Sequence, residues 1–114
     1  NFLGRRHLES EIRQADAAIE HACGIRPRLF RPPLGISTHF MATALRHTGH
    51  SAVGWSIRSF DTRNEPRQRV LQRILRQLRP GAIVLLHDRM VGAEWLADEV
   101  LKAMEERGWE AERI

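Results

Sequence analysis

Three residues of this sequence have the types and the placing to do chemistry together: His87, Asp61 and Arg31. Each follows a short run that reads as a strand. His87 stands in GAIVLLHDR (81–89), where an apolar run, residues 82–86, stops abruptly at His87-Asp88. Its imidazole is the side chain that titrates near neutral pH. At a partly buried rim it can give or take a proton if a carboxylate fixes its tautomer. Asp61 or Asp88 could be that carboxylate. Arg31 could orient a carboxylate or hold an anion with its planar fork, and the prolines flanking it stiffen its backbone. The plainer alternative is that His87 caps a strand and Asp88 caps the helix that follows. Three such residues after three successive strands favour the chemical reading.

The elements that must position them follow from periodicity. Leu8, Ile12, Ala15, Ile19 and Ala22 form one helical stripe, closed by Gly24. The prolines of RPRLFRPPLG block a helix, which predicts a short strand at 29–31 and a rigid loop at 31–35. Ser37 or Thr38 can cap a second helix with Phe40, Met41, Ala44 and Leu45 on its inner face, ending at Gly49. SAVGWSI (51–57) reads as a strand and residues 58–66 as a polar loop. Residues 67–78 make a third helix, with Leu71, Ile74, Leu75 and Leu78 inward and Arg69, Arg73 and Arg76 outward. After Pro80-Gly81 come a buried strand at 82–86 and a fourth helix from about 93 to 107. Leu96, Val100 and Met104 face inward in that helix, Gly108 stops it, and WEAERI (109–114) reads as a last strand.

The alternation of helix and strand predicts an α/β fold with parallel strands and crossover helices. In such folds function collects at the C-terminal strand ends. Arg31, Asp61 and His87 should therefore open onto one rim. Few, short strands with an open edge suit part of a barrel better than a whole domain.

Composition narrows the choices. A chain of 114 residues, 42% hydrophobic and 28% charged, suits one soluble domain. No stretch is long and apolar enough to span a membrane. The single cysteine, Cys23, excludes an internal disulfide and reads as a packed thiol at a helix end. The formal charge of +4, carried by 17 arginines and Lys102, invites a nucleic-acid reading through the helix at 67–79. Against it, no aromatic platform or binding motif accompanies those arginines. No nucleic-acid partner is expected. The other histidines read as solvated polar residues. Trp55 could line a pocket; Trp95 and Trp109 read as packing.

The chain resembles the polysaccharide deacetylase family, the NodB-homology group of metal-dependent carbohydrate deacetylases. The matching stretches are FRPPLG (30–35), VGWSIRSFD (53–61), RPGAIVLLHD (79–88) and ERGWEAERI (106–114). The resemblance implies part of a distorted (β/α) barrel. It implies hydrolysis of N- or O-acetyl groups on a glycan, assisted by a divalent metal, usually zinc. By that resemblance His87 protonates the leaving group, Asp61 partners His87, and Arg31 orients a base. Pro33 and Gly35 shape the Arg31 loop, Leu85 lines an acetyl-methyl pocket, and Trp55 and Asp88 border the substrate.

Two family motifs, an aspartate pair and His-x-x-x-His, supply the base and the metal ligands and are not found here. Thr62 stands where the family has Trp. The resemblance therefore places residues 1–114 in the C-terminal portion of the domain, with no metal ligands of their own. The expected partners are the missing half or another copy of the chain, and a glycan. The alternative is a degenerate, non-catalytic domain that binds carbohydrate or serves assembly.

Overall fold

The computed structural model describes residues 2–35 and 38–114. It has two compact units, Asn1–Gly54 and Trp55–Ile114. In the first, α1 (Phe2–Cys23) packs on α2 (His39–Thr48), and β1 (Leu29–Phe30) pairs in parallel with β2 (Ser51–Ala52). In the second, β3 (Ile57–Arg58) pairs in parallel with β4 (Val84–Leu85), and α3 (Arg67–Gln77) packs on α4 (Ala93–Glu106). The fold is α/β with parallel strands.

The first core is small. Ile12, Ala44 and Leu45 are buried, with Leu8, Phe30 and Met41 against them. The α1 stripe was expected to be one buried face, yet Ala15 and Ala22 are exposed and Ile19 is 44% exposed. Length explains this. At about 1.5 Å per residue, a ten-residue α2 can cover less than half of a 22-residue α1. Phe40, expected inward on α2, is 46% exposed. Thr38 caps α2, its hydroxyl accepting from the Met41 N–H at 3.1 Å. Ser37, the other expected cap, lies outside the described residues. Gly49 ends α2 in the left-handed region, φ 78°, which a side chain would strain.

Two further expectations fail here. Cys23 is exposed, like the other residues of the last turn of α1. His50 is buried rather than solvated: its Nδ1 lies 2.9 Å from Thr48 Oγ1 and its Nε2 lies 3.0 Å from Asp16 Oδ1. A polar ring can be buried there because both nitrogens have partners.

The second core joins Ile57 of β3, Val70, Leu71 and Ile74 of α3, and Leu96 and Val100 of α4. Val70 is fully buried although the periodicity of α3 had not singled it out. Ile74 is fully buried at the centre of this cluster. Ile74→Ala is expected to cost about 2–5 kcal/mol, from lost transfer energy and the cavity left behind. A shift of the urea midpoint at constant slope would measure it, and a loss below about 1 kcal/mol would place the core elsewhere.

Three strand expectations are corrected. The single strand at 51–57 is two. The Val53 N–H still donates to Phe30 O at 2.8 Å, but those of Ser56 and Ile57 donate to Ile83 O. Gly54 lies where the partner changes, and glycine holds a strand weakly. Residues 82–86 are half-buried rather than buried, since among the described residues β4 pairs with β3 alone. Residues 109–114 form no strand; none of the described strands pairs with them.

Candidate active site

The site starts from an alternation. Ile57, Ser59 and Asp61 are 2%, 1% and 2% exposed, while Arg58 and Thr62 face solvent. Side chains two apart on an extended chain share a side. The buried side of β3 therefore continues to Ser59, and the left-handed turn at Phe60, φ 56°, leads into the buried Asp61. In parallel, β4 delivers Leu86 and His87 just beyond its C-terminal end.

There the two residues meet. Asp61 Oδ1 lies 2.8 Å from His87 Nδ1, and Oδ2 accepts the His87 backbone N–H at 2.7 Å. An ionised carboxylate only accepts, so Nδ1 carries the proton and donates it. Nε2 is then the working atom of the ring, on a side chain that is 41% exposed while Asp61 is 2% exposed. Of the two carboxylates the sequence offered, Asp61 is the one against the ring. Asp88 is exposed, and it does not cap α4: Gly92 occupies that N-cap, with no side-chain bond.

Burial pushes the Asp61 carboxyl up. Hydrogen bonds from the His87 ring, the His87 backbone N–H and the Ser59 hydroxyl outweigh it, with the charge of His87 adding to them. The net result holds Asp61 below its ordinary value of 3.8. Asp61 stays ionised at neutral pH.

The surrounding shell was not foreseen. Ser59 Oγ lies 2.6 Å from Leu85 O and 3.0 Å from Asp61 Oδ1, and accepts the Asp61 N–H at 3.3 Å. Phe60 has φ 56°, a left-handed conformation that costs a non-glycine residue about 1–3 kcal/mol. The carbonyls on either side of it are held by α3: Arg73 Nη1 donates to Ser59 O and Arg67 Nη1 to Asp61 O, both at 2.8 Å. Arg73 also pairs with Glu65. The guanidiniums of Arg63, Arg58 and Arg73 lie 3.9, 4.8 and 5.7 Å from the Phe60 ring centre. Arg73 was expected to face solvent; it is half-buried, drawn in by Ser59 O and Glu65. The arginines of α3 that looked like a nucleic-acid surface include two that brace this loop.

The other expected residues are placed as follows. Leu85 is half-buried in β4, and Trp55 is half-buried at the start of the second unit. Arg31 belongs to the first unit, where Nε donates to Val53 O at 3.3 Å and Nη2 to Gly54 O at 3.2 Å. Pro33 and Gly35 form one 3₁₀ turn with Leu34, which is 87% exposed at φ 56°.

Among the described residues, no three His, Cys, Asp or Glu side chains group so as to hold a metal ion. Both Asp61 oxygens are already engaged by His87 and Ser59.

In an α/β fold, a carboxylate-fixed histidine beyond the ends of parallel strands is an arrangement that can give or take a proton. The comparisons refine that reading. The family model described as polysaccharide deacetylase matches residues 1–53. The chain is similar to a chitooligosaccharide deacetylase of Sinorhizobium fredii, 35% identical over 86 residues, which are 75% of this chain and 40% of that protein. It is 38% identical over 82 residues to a chitooligosaccharide deacetylase of Bradyrhizobium, covering 71% of this chain and 37% of that one. Among solved structures it is similar to a family 4 carbohydrate esterase from Streptomyces lividans in complex with acetate. The TM-score there is 0.88 at 26% identity, over 96% of this chain and 57% of that one. The chain belongs to the polysaccharide deacetylase family, and spans well under half the length of the curated relatives it matches.

Proposed function

We propose that this chain supplies the proton-donating half of a glycan deacetylase, and that residues 1–114 are the C-terminal portion of its barrel domain. The observation that carries the reading is the Asp61–His87 pair. Amide hydrolysis expels an amine, a poor leaving group unless it is protonated as the C–N bond breaks. Asp61 holds the ring in one tautomer and offsets the imidazolium charge. Nε2–H then gives its proton to the leaving nitrogen, or to the oxygen of an O-acetyl group.

Arg31 is proposed to orient the base carried by the remainder of the domain, with Pro33 and Gly35 shaping its loop. Leu85 is proposed to contact the acetyl methyl, and Trp55 and Asp88 the sugar. A divalent ion, zinc by family, is proposed to bind in that remainder; no step is assigned to it here. The similarity to chitooligosaccharide deacetylases supports an N-acetylglucosamine oligomer as substrate.

Acetate release from chitooligosaccharides by the full-length protein tests the reading. Full-length protein is expected to turn over and the isolated 114 residues to be inert. Absence of acetate release by metal-loaded full-length protein, on N- and O-acetylated glycans alike, would sink it.

A further inference from the structure

His87 can be aimed only if the segment after β3, which holds Asp61, keeps a fixed distance from the segment after β4, which holds His87. Two side chains span that gap. The Ser59 hydroxyl reaches Leu85 O on β4 at 2.6 Å, while its oxygen accepts the Asp61 N–H. Its one hydrogen lies between two acceptors, Leu85 O at 2.6 Å and Asp61 Oδ1 at 3.0 Å, so the hydroxyl ties the Asp61 segment to β4. Arg67 is the second link. Its guanidinium donates to Asp61 O at 2.8 Å, and its stem lies against Gly92, where a Cβ would come within 3.4 Å of Arg67 Cγ. Gly92 closes the turns that follow His87 and caps α4 at φ 78°, a left-handed backbone that favours glycine, and a Cβ there would touch the Arg67 stem at ordinary van der Waals distance.

We propose that Ser59 and Arg67 are positioning residues, two struts that set the Asp61–His87 geometry and with it the direction of the Nε2–H. Without them Phe60 would be free to leave its left-handed conformation, and Asp61 would move with it. The consequence for turnover rests on the deacetylase reading; the consequence for the pair does not.

The test uses the full-length protein. In protein labelled with nitrogen-15 histidine, the His87 Nδ1–H should give a resonance slowed in exchange by its bond to Asp61. Ser59→Ala is expected to broaden or abolish it and to speed His87 backbone amide exchange about tenfold, the worth of one hydrogen bond. Ser59→Thr, which keeps the hydroxyl, should restore both. Arg67→Met keeps the stem and removes the donor; it should act in the same direction and carries the test if Ser59→Ala fails to fold. The same variants should lower kcat about tenfold with KM within about twofold. Unchanged resonance and exchange in Ser59→Ala and Arg67→Met would overturn the proposal, and so would failure of Ser59→Thr to restore them. Spectral changes as expected in a protein that never releases acetate would uphold the struts and reject the deacetylase reading instead.

Discussion

His87→Ala in the full-length protein is expected to lower kcat for deacetylation roughly 10²–10⁴-fold, the range that a positioned proton donor contributes. The leaving nitrogen would otherwise depart as an amide anion or wait for water to protonate it. Alanine removes Nε2–H and leaves Asp61 ionised with no ring to orient. KM should move little, because the proton is transferred in the transition state and not on binding. Metal content should also hold, since His87 is in no group of potential ligands among the described residues. Acetate release at saturating substrate, with metal analysis of the same samples, measures both. A variant keeping more than about a tenth of wild-type kcat would show that another group delivers the proton.

Asp61→Asn should be nearly as damaging to turnover and should destabilise the fold as well. The two side chains have almost the same shape, but an amide has one accepting oxygen where the carboxylate has two. Asp61 uses both, one for the His87 ring and one for the His87 N–H. The variant must leave one donor facing an NH₂ group, a loss of about 1–3 kcal/mol at a site only 2% exposed. It also loses one of the two acceptors that fix the tautomer and direction of the His87 ring, so a fall in kcat of about 10²-fold or more is expected.

Acid sharpens the comparison. The Asp61 carboxyl lies below 3.8 in the folded chain. A depressed folded value means that its stabilisation is present above about pH 3.8 and is lost as pH falls through the lower, folded value. Wild-type protein should therefore lose more stability between pH 6 and pH 3 than Asp61→Asn, which has no carboxylate there to protonate. Urea midpoints at the two pH values give the comparison. Equal losses in the two proteins would show that Asp61 carries no such linkage.

Much of this organisation was legible in one dimension. Local signals, a capping hydroxyl at Thr38, glycines at 24, 49 and 108, and a repeating apolar face in α3 and α4, place four helices close to their observed bounds. These are interactions between residues three or four apart, which periodicity reports directly. The abrupt end of an apolar run also brought out His87, and the loop after the preceding strand brought out Asp61, because titrating side chains just past a strand break a pattern visible in the text.

What periodicity could not report was partnership across 26 residues. That Asp61 and not Asp88 meets the ring depends on β3 and β4 lying side by side in register, Ile57 against Val84. The division of 51–57 into two strands depends on which neighbour accepts each N–H. The missing strand at 109–114 depends on having no such neighbour among the described strands. Ser59, Arg67 and Arg73 looked like ordinary loop and surface residues because their partners are backbone carbonyls, and every residue type has a carbonyl. Sequence by itself determined which side chains could move a proton and that they lie at strand ends. Tertiary structure alone decided which carboxylate holds the histidine and what holds the carboxylate, since hydrogen bonds between distant segments form only after the chain has brought them together.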